Sequence, residues 1–345
     1  LVVGAGAAGC VVSNRLSHSS NNRVICIEAG GKDTNFYIKI PAGFSKTVYN
    51  DKINWPYYTE ETENTANRKI RYPRGKVVGG SSSINGHLYV RGQADDYDGW
   101  AQKGCIGWSW SDVLPYFMKA ETRPAGNKNY RGNKGPLYIS DLTSPHPFAK
   151  LFIETAHGIG IKKNMDYNSG DQEGSFLYQT MIKNSMRWSA SDAYLKPILS
   201  RDNFKLFINT YLHKIIFKNK KIESVIIKQG LNFKKIFINK ELILSAGAIN
   251  SPQILQNNGI GDQLKLKKLG IECIQNIPEV GQNLKDHFAI RIAMRTKNLS
   301  TFNTESKGFN LLKEILNYYC FKKGLLTNPV STAGVFAKTK KELNS

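Results

Sequence analysis

An α/β fold, a parallel sheet with helices on both faces and a smaller antiparallel layer inserted beside it, is predicted by three features of the sequence. The chain opens on a buried strand, a glycine-rich turn and a helix; a second buried strand follows; and a later run of short strands ends in another strand, small-residue turn and helix. Leu1-Val2-Val3 reads as the end of the first strand. Because the first residue is already inside a strand, further residues are expected to precede it. Gly4-Ala5-Gly6-Ala7-Ala8-Gly9 fits G-x-G-x-x-G, and residues 10–16 continue with helical apolar spacing. Gly4 permits the tight turn, Gly6 lets the backbone approach a pyrophosphate, and Gly9 lets helix and strand pack closely. The free N–H groups at the helix start, reinforced by the helix dipole, favour an anion there.

After the turn signal Asn21-Asn22, Arg23-Val24-Ile25-Cys26-Ile27 reads as the second strand, closing on Glu28, Ala29, Gly30 and Gly31. Glu28 lies about 20 residues beyond the turn, where an acidic side chain meets a ribose diol. A carboxylate accepts two hydroxyl hydrogen bonds and repels a 2′-phosphate. The expected ligand is an adenine dinucleotide without that phosphate, FAD or NAD. Residues 36–63 are irregular and aromatic and are expected to fold across this first unit. A second Gly/Ser loop, Gly79-Gly80-Ser81-Ser82-Ser83, follows. Its glycines keep side chains away from what it touches, its serines add donors, and residues 84–90 are expected to begin a helix or buried segment behind it.

Residues 109–120 place Trp110, Val113, Leu114, Phe117 and Met118 on one helical face, with Ser111 or Asp112 near the N-cap. Residues 147–159 predict another helix, with Phe148, Leu151, Phe152, Ala156 and Ile159 on one side. Its His157 reads as a partly exposed helix residue, since no second His or carboxylate has ligand spacing, and no metal site is expected. Segments 204–208, 214–217, 224–228 and 233–238, joined by Lys/Asn/Gly turns, predict the antiparallel layer. Residues 241–248 return as a buried strand whose turn feeds a helix, with Ser251 as N-cap and Pro252 at the first helical position. This repeats the opening logic and brings a second backbone approach to the same ligand. No repeat of solenoid length recurs.

Composition narrows the class. A chain of 345 residues with 41% hydrophobic and 22% charged residues is an ordinary globular protein of about two domains. No apolar run approaches the roughly 18 residues of a membrane span. The formal charge is +21, and excess lysine falls in residues 214–240 and 265–268, interleaved with Ile and Phe at strand or helix spacing. These read as solvated faces, no nucleic-acid motif accompanies them, and no nucleic-acid partner is expected; peripheral attraction to a membrane of anionic lipid is compatible with the charge. The five cysteines, Cys10, Cys26, Cys105, Cys273 and Cys320, form no C-x-x-C pair, so neither a disulfide framework nor a zinc site is suggested. A reducing, cytoplasmic compartment is the expectation.

At this point the residues resemble a family, the glucose-methanol-choline (GMC) oxidoreductases, FAD-dependent enzymes acting on alcohols. Residues 74–98, with Gly79-Gly80-Ser81-Ser82-Ser83-Ile84-Asn85, Tyr89, Gly92 and Asp98, follow one family signature. Gly247-Ala248-Ile249-Asn250-Ser251-Pro252-Gln253-Ile254-Leu255 through Gly259-Ile260-Gly261 follows a second, with Asn258 where Ser is usual, and Val280-Gly281-Gln282-Asn283-Leu284-Lys285-Asp286-His287 matches a third block. Arg74-Gly75-Lys76, Tyr89-Val90-Arg91-Gly92 and Arg187-Trp188-Ser189-Ala190 are most similar to the choline dehydrogenase and primary-alcohol dehydrogenase branch.

The resemblance implies an FAD-binding Rossmann-like parallel sheet and a discontinuous α+β substrate-binding cap. Residues 1–100 and 175–288 would form the FAD-binding domain, 101–174 the first part of the cap, and 289–345 the start of its second part. Gly4, Gly6, Ala7, Ala8 and Gly9 would hold the pyrophosphate, and Glu28 with Ala29 the ribose. Trp55, Val78, Gly79, Gly80, Ser81, Asn85, Gly86, His87 and Leu88 would line the flavin side, and Leu212 with Ala246 the adenine side. Some members attach FAD covalently through a His near the Gly-Gly loop; Ile84 stands at the corresponding position, which implies non-covalent FAD. The implied reaction is oxidation of an alcohol, choline or a primary alcohol, to the aldehyde by hydride transfer to flavin N5, with a base taking the hydroxyl proton. In the family that base is a C-terminal His, matched by none of His18, His87, His146, His157, His213 and His287. His287 reads as a structural hydrogen-bonding residue. The catalytic residues are therefore expected beyond Ser345, in a chain expected to be a fragment and inactive alone. A lyase of the same fold that holds FAD without redox use, and an inactive truncated flavin-binding protein, stay open at this point, as does the electron acceptor: oxygen, quinone or a carrier.

Overall fold

The first strand, β1 (Val2–Val3), takes a central place in a four-stranded parallel sheet. The computed structural model describes residues 1–340; residues 341–345, the end of the expected second cap segment, lie outside the described residues. Around β1 the sheet runs β3 (Phe204–Phe207), β2 (Val24–Ile27), β1, β7 (Ile243–Leu244), with Val2 opposite Cys26 and Ile243 and Val3 opposite Ile27 and Leu244. Strand alternation sends successive side chains to opposite faces. Cys26 lies beside Ser13 of α1 (Ala7–Leu16), whereas Val3 and Ile27 pack on Ile215, Val225 and Ile227. Those three belong to an antiparallel sheet of β4 (Thr210–Lys218), β5 (Lys221–Gln229) and β6 (Asn232–Phe237). The α/β class with an antiparallel layer is thus the observed one. Helices were expected on both faces of the parallel sheet; the second face is covered mainly by this antiparallel sheet, with Ile254 of α2 (Gly247–Asn257) packed against it.

Two expectations about elements are corrected and a third, a helix or buried segment behind the Gly/Ser loop, is narrowed to its buried alternative. Phe204–Phe207 joins the parallel sheet beside β2 and not the antiparallel layer, because its register with Val24–Ile27 buries Phe204. A short apolar run carries no mark of which neighbour it will pair with. Helix α2 starts at Gly247, so Ser251 and Pro252 lie inside it and Ser251 is no cap. Gly247 has a φ of +84°, which lets the small-residue turn swing into the helix earlier than the Pro signal suggested. Behind the Gly/Ser loop the short helical turn Gly80–Ser83 stops at once. Ile84 is buried, but Leu88 bridges Thr180 and no helix follows, since His87 adopts a φ of +67°.

The described residues divide into two compact units, one of Leu1–Thr34, Tyr49–Ile84 and Ala190–Arg295, the other of Asn35–Val48, Asn85–Ser189 and the residues from Thr296 on. The irregular segment expected across the first unit is therefore divided. Within the second unit the Ile38 carbonyl accepts from Arg187 Nε at 2.8 Å, which fixes 35–48 there. The same unit holds the expected helices, Trp110–Ala120, whose Asp112 N–H donates to Ser109 Oγ, and Pro147–Gly158. On the latter, Phe148, Leu151 and Phe152 are exposed, as is His157. A buried ion cluster completes the unit: Glu121 Oε1 lies 2.8 Å from Arg91 and 3.2 Å from Arg131, and accepts the Gly132 N–H. No helix of the described residues is long and apolar enough to cross a membrane.

A candidate dinucleotide site

Within the first unit, the turn after β1 and the turn after β7 open on one cavity of about 650 Å³. Its floor is built from backbone. The Gly4 N–H donates to the Ile27 carbonyl at 2.8 Å and the Ser245 N–H to the Val3 carbonyl at 2.8 Å, so both turns hang from the same central strands. Helices α1 and α2 start at these turns from Gly6 and Ala246, neither of which has a side chain that caps the helix. The first N–H groups of two helices are therefore left for another acceptor, and their dipoles place positive potential at the cavity.

Close backbone approach explains two of the glycines. A Cβ on Gly9 would lie 1.8 Å from the Gly4 carbonyl oxygen, so only glycine lets α1 leave the turn at this angle. A Cβ on Gly80, whose φ is +54°, would lie 2.7 Å from the Cα of Gly6. The Gly/Ser loop thus rests directly on the first turn, and the Gly79 N–H fastens it by donating to Ala5 O at 2.8 Å. Its serines are spent largely inside the loop. Ser82 Oγ donates to Gly79 O at 2.6 Å and Ser83 Oγ to Val78 O at 2.8 Å, while Ser81 Oγ accepts the Gly75 N–H at 3.1 Å.

Glu28 is buried at the end of β2. Its Oε2 accepts the Ala5 N–H and its Oε1 the Gly30 N–H, each at 2.8 Å. Burial raises its pKa above the ordinary value, opposed by those two hydrogen bonds and by the charge of Lys76. A carboxylate offers about four lone-pair sites, so two remain for hydroxyl donors. On the neighbouring wall Trp55 stacks on Tyr57 at 5.8 Å and meets Tyr211 edge-on at 6.2 Å. The Lys76 ammonium stands 5.0 Å from the centre of the Trp55 ring and 5.4 Å from that of Tyr211.

Of the residues expected at the site, Gly4, Gly6, Ala7, Ala8, Glu28, Ala29, Trp55, Gly80, Ser81, Leu212 and Ala246 line this cavity together. Gly9, Val78 and Gly79 stand behind it as spacing and fastening residues. Trp55, expected on the flavin side, touches Tyr211, the chain neighbour of Leu212. Asn85, Gly86, His87 and Leu88 belong to the second unit. There Arg187 donates to Asn85 Oδ1 and to Asn85 O, both at 2.8 Å, and His87 is buried with neither ring nitrogen hydrogen-bonded. Burial, and after it the charge of Arg187, holds the His87 imidazole neutral with a pKa well below the usual range. His287 is exposed, and its N–H donates to Asp286 Oδ1 at 2.8 Å. Tyr57, Thr210, Tyr211 and Asn250 also line the cavity and were not singled out beforehand. Nothing in their local pattern marks them, although the Tyr57 hydroxyl bonds Asn250 Oδ1 across 193 residues of chain.

Comparison with known proteins gives concordant matches. The family described as GMC oxidoreductase matches residues 1–289. An "Oxygen-dependent choline dehydrogenase" of Brucella anthropi is 39% identical over 324 residues, 94% of this chain and 59% of that protein. The mitochondrial choline dehydrogenase of Mus musculus is 38% identical over 89% of this chain and 53% of its own length. The chain therefore spans between half and two thirds of the length of these relatives. Among solved structures, an FAD-dependent oxidoreductase from Chaetomium thermophilum superposes with a TM-score of 0.87 at 28% identity, covering 96% of this chain and 60% of that one. Pyridoxine 4-oxidase from Mesorbium loti gives 0.77 at 30% identity, covering 81% and 55%.

Proposed function

Because this chain belongs to the GMC oxidoreductase family, we propose that it holds FAD without a covalent bond and serves, within the whole protein, in the oxidation of a small alcohol, choline or another primary alcohol, to the aldehyde. The observation that carries this reading is the pair of helix starts without side-chain caps, opening together with a glycine-rich loop on one cavity. The fit to an adenine dinucleotide is good. Gly4, Gly6, Ala7, Ala8 and Gly9 would form the turn around the diphosphate, and Glu28 with Ala29 would meet the ribose through the lone pairs that Ala5 and Gly30 leave free. Leu212 and Ala246 would flank the adenine. Trp55, Val78, Gly79, Gly80, Ser81, Asn85, Gly86, His87 and Leu88 are proposed for the flavin side. Ile84 offers no atom for a covalent link at the loop.

Bound FAD would supply the acceptor for a hydride from the carbinol carbon. What the described residues contribute is position and field: amides aimed at an anion, a buried carboxylate that orients the sugar, and a close-packed loop that leaves no room for side chains. No histidine among the described residues lines the cavity, so the base for the hydroxyl proton is not assigned to them. Two measurements test the reading. FAD added to the purified chain should co-elute with it, and Gly80→Ala should abolish retention; acid precipitation should leave the flavin in solution. A chain that retains no flavin overturns the proposal, and flavin in the pellet overturns its non-covalent part. In the whole protein, anaerobic choline or a primary alcohol should bleach the flavin; retained flavin that no alcohol bleaches would instead favour a lyase.

A further inference from the structure

The antiparallel sheet β4–β6 has two unlike faces. One buries Ile215, Val225 and Ile227 against the parallel sheet. The other carries Phe233 and Phe237, exposed by 55% and 63%, and the turn into β6 presents Leu231, exposed by 92%. Lysines lie among these rings: the Lys228 ammonium is 5.5 Å from the Phe233 ring centre and that of Lys235 is 4.8 Å from Phe237. Between residues 210 and 240 there are eight lysines, no arginine and one carboxylate, Glu223, which pairs with Lys235 at 3.6 Å. The charge of the sheet is therefore largely uncompensated.

Lysines alone on an edge strand would serve to keep other strands from pairing with it. Exposed phenylalanines and a leucine on the same element work against that purpose, since they add an apolar template. Aromatic and aliphatic tips set among ammonium groups match a different environment, the boundary between acyl chains and charged headgroups, where rings sit at headgroup depth and long lysine stems reach outward. A nucleic-acid strand is the weaker match: arginine is the side chain that grips phosphate in a planar fork, none is present here, and Leu231 gives no face for a base to stack on.

We propose that the outer face of β4–β6 docks on an anionic lipid surface, with Leu231, Phe233 and Phe237 entering the headgroup region and Lys228 and Lys235 facing acidic headgroups. This stands independently of the bound cofactor. The test is co-sedimentation of the purified chain with vesicles of phosphatidylcholine alone and with vesicles that also contain phosphatidylserine. Binding is expected only to the second, and it should weaken as salt is raised. Each lysine near such a surface is worth about fivefold in binding, so Lys228→Gln with Lys235→Gln should weaken it roughly 25-fold, and the corresponding Arg pair should restore it. Phe233→Ser with Phe237→Ser should also weaken binding while leaving its salt dependence intact. Unchanged melting of each variant separates loss of binding from loss of fold. Absence of binding, equal binding to both vesicle types, or indifference to the lysine pair overturns the proposal. So does a single-stranded oligonucleotide that binds this face and competes with the vesicles.

Discussion

His87 combines a left-handed backbone, which histidine tolerates better than most side chains, with near-complete burial and two ring nitrogens without a hydrogen-bond partner. Protonation in the folded state is opposed first by burial and then by Arg187. The unfolded chain takes up a proton at the ordinary value of 6.5, while the folded chain does so only well below it. Between those limits the unfolded state binds more protons, so the stability that neutral His87 allows is present above pH 6.5 and lost as the pH falls through the folded value. His87→Leu should flatten the fall in urea-unfolding free energy below that pH, with neutral-pH stability lowered by about 1–2 kcal/mol, the cost of a left-handed backbone for leucine. A variant as acid-sensitive as the parent would exclude His87 as the source. Glu28 teaches the complementary lesson at the same scale. Its position after β2 was readable from spacing, and the Gly30 amide is a local partner, but the Ala5 amide reaches it only when two turns of the chain meet.

Elements were legible to the extent that their pattern is local. The Pro start of Pro147–Gly158 and the opening strand, turn and helix follow from neighbours in sequence, as does the helix Trp110–Ala120, although its cap is Ser109, with Asp112 completing the capping box, where Ser111 or Asp112 was expected. The start of α2 and the partner of β3 do not, since a positive-φ glycine and a distant strand decided them. At α1 the decisive contact is the Gly4 carbonyl under Gly9. Gly9→Ala should push the helix off the turn and cost about 3 kcal/mol, read as a drop in the urea midpoint together with weaker FAD retention. Stability within error of the parent would show that the turn can relax, and that the close approach does not fix the helix.

At the scale of the molecule, a net charge of +21 acts on every part of the fold at once. Like charges repel more strongly when compact than when unfolded, so screening should stabilise. Raising ionic strength from about 0.01 M to 0.1 M shortens the Debye length from about 30 Å to 10 Å, and the melting temperature should rise by a few degrees. A fall would mean that specific ion pairs, such as Glu121 with Arg91 and Arg131, outweigh the general repulsion. The buried position of that cluster already shields it from salt.

The chain's own order of residues determined the α/β class, the two glycine-rich bends, the acidic end of β2 and the membership of the family, because each depends on side chains within a few positions of one another or on a motif carried intact. Only the tertiary structure decided that the cavity wall is finished by Tyr57, Tyr211 and Asn250, and that His87 is buried without a partner. These depend on contacts between distant segments, and close packing selects such contacts by shape and by satisfied polar groups, which no local spacing records.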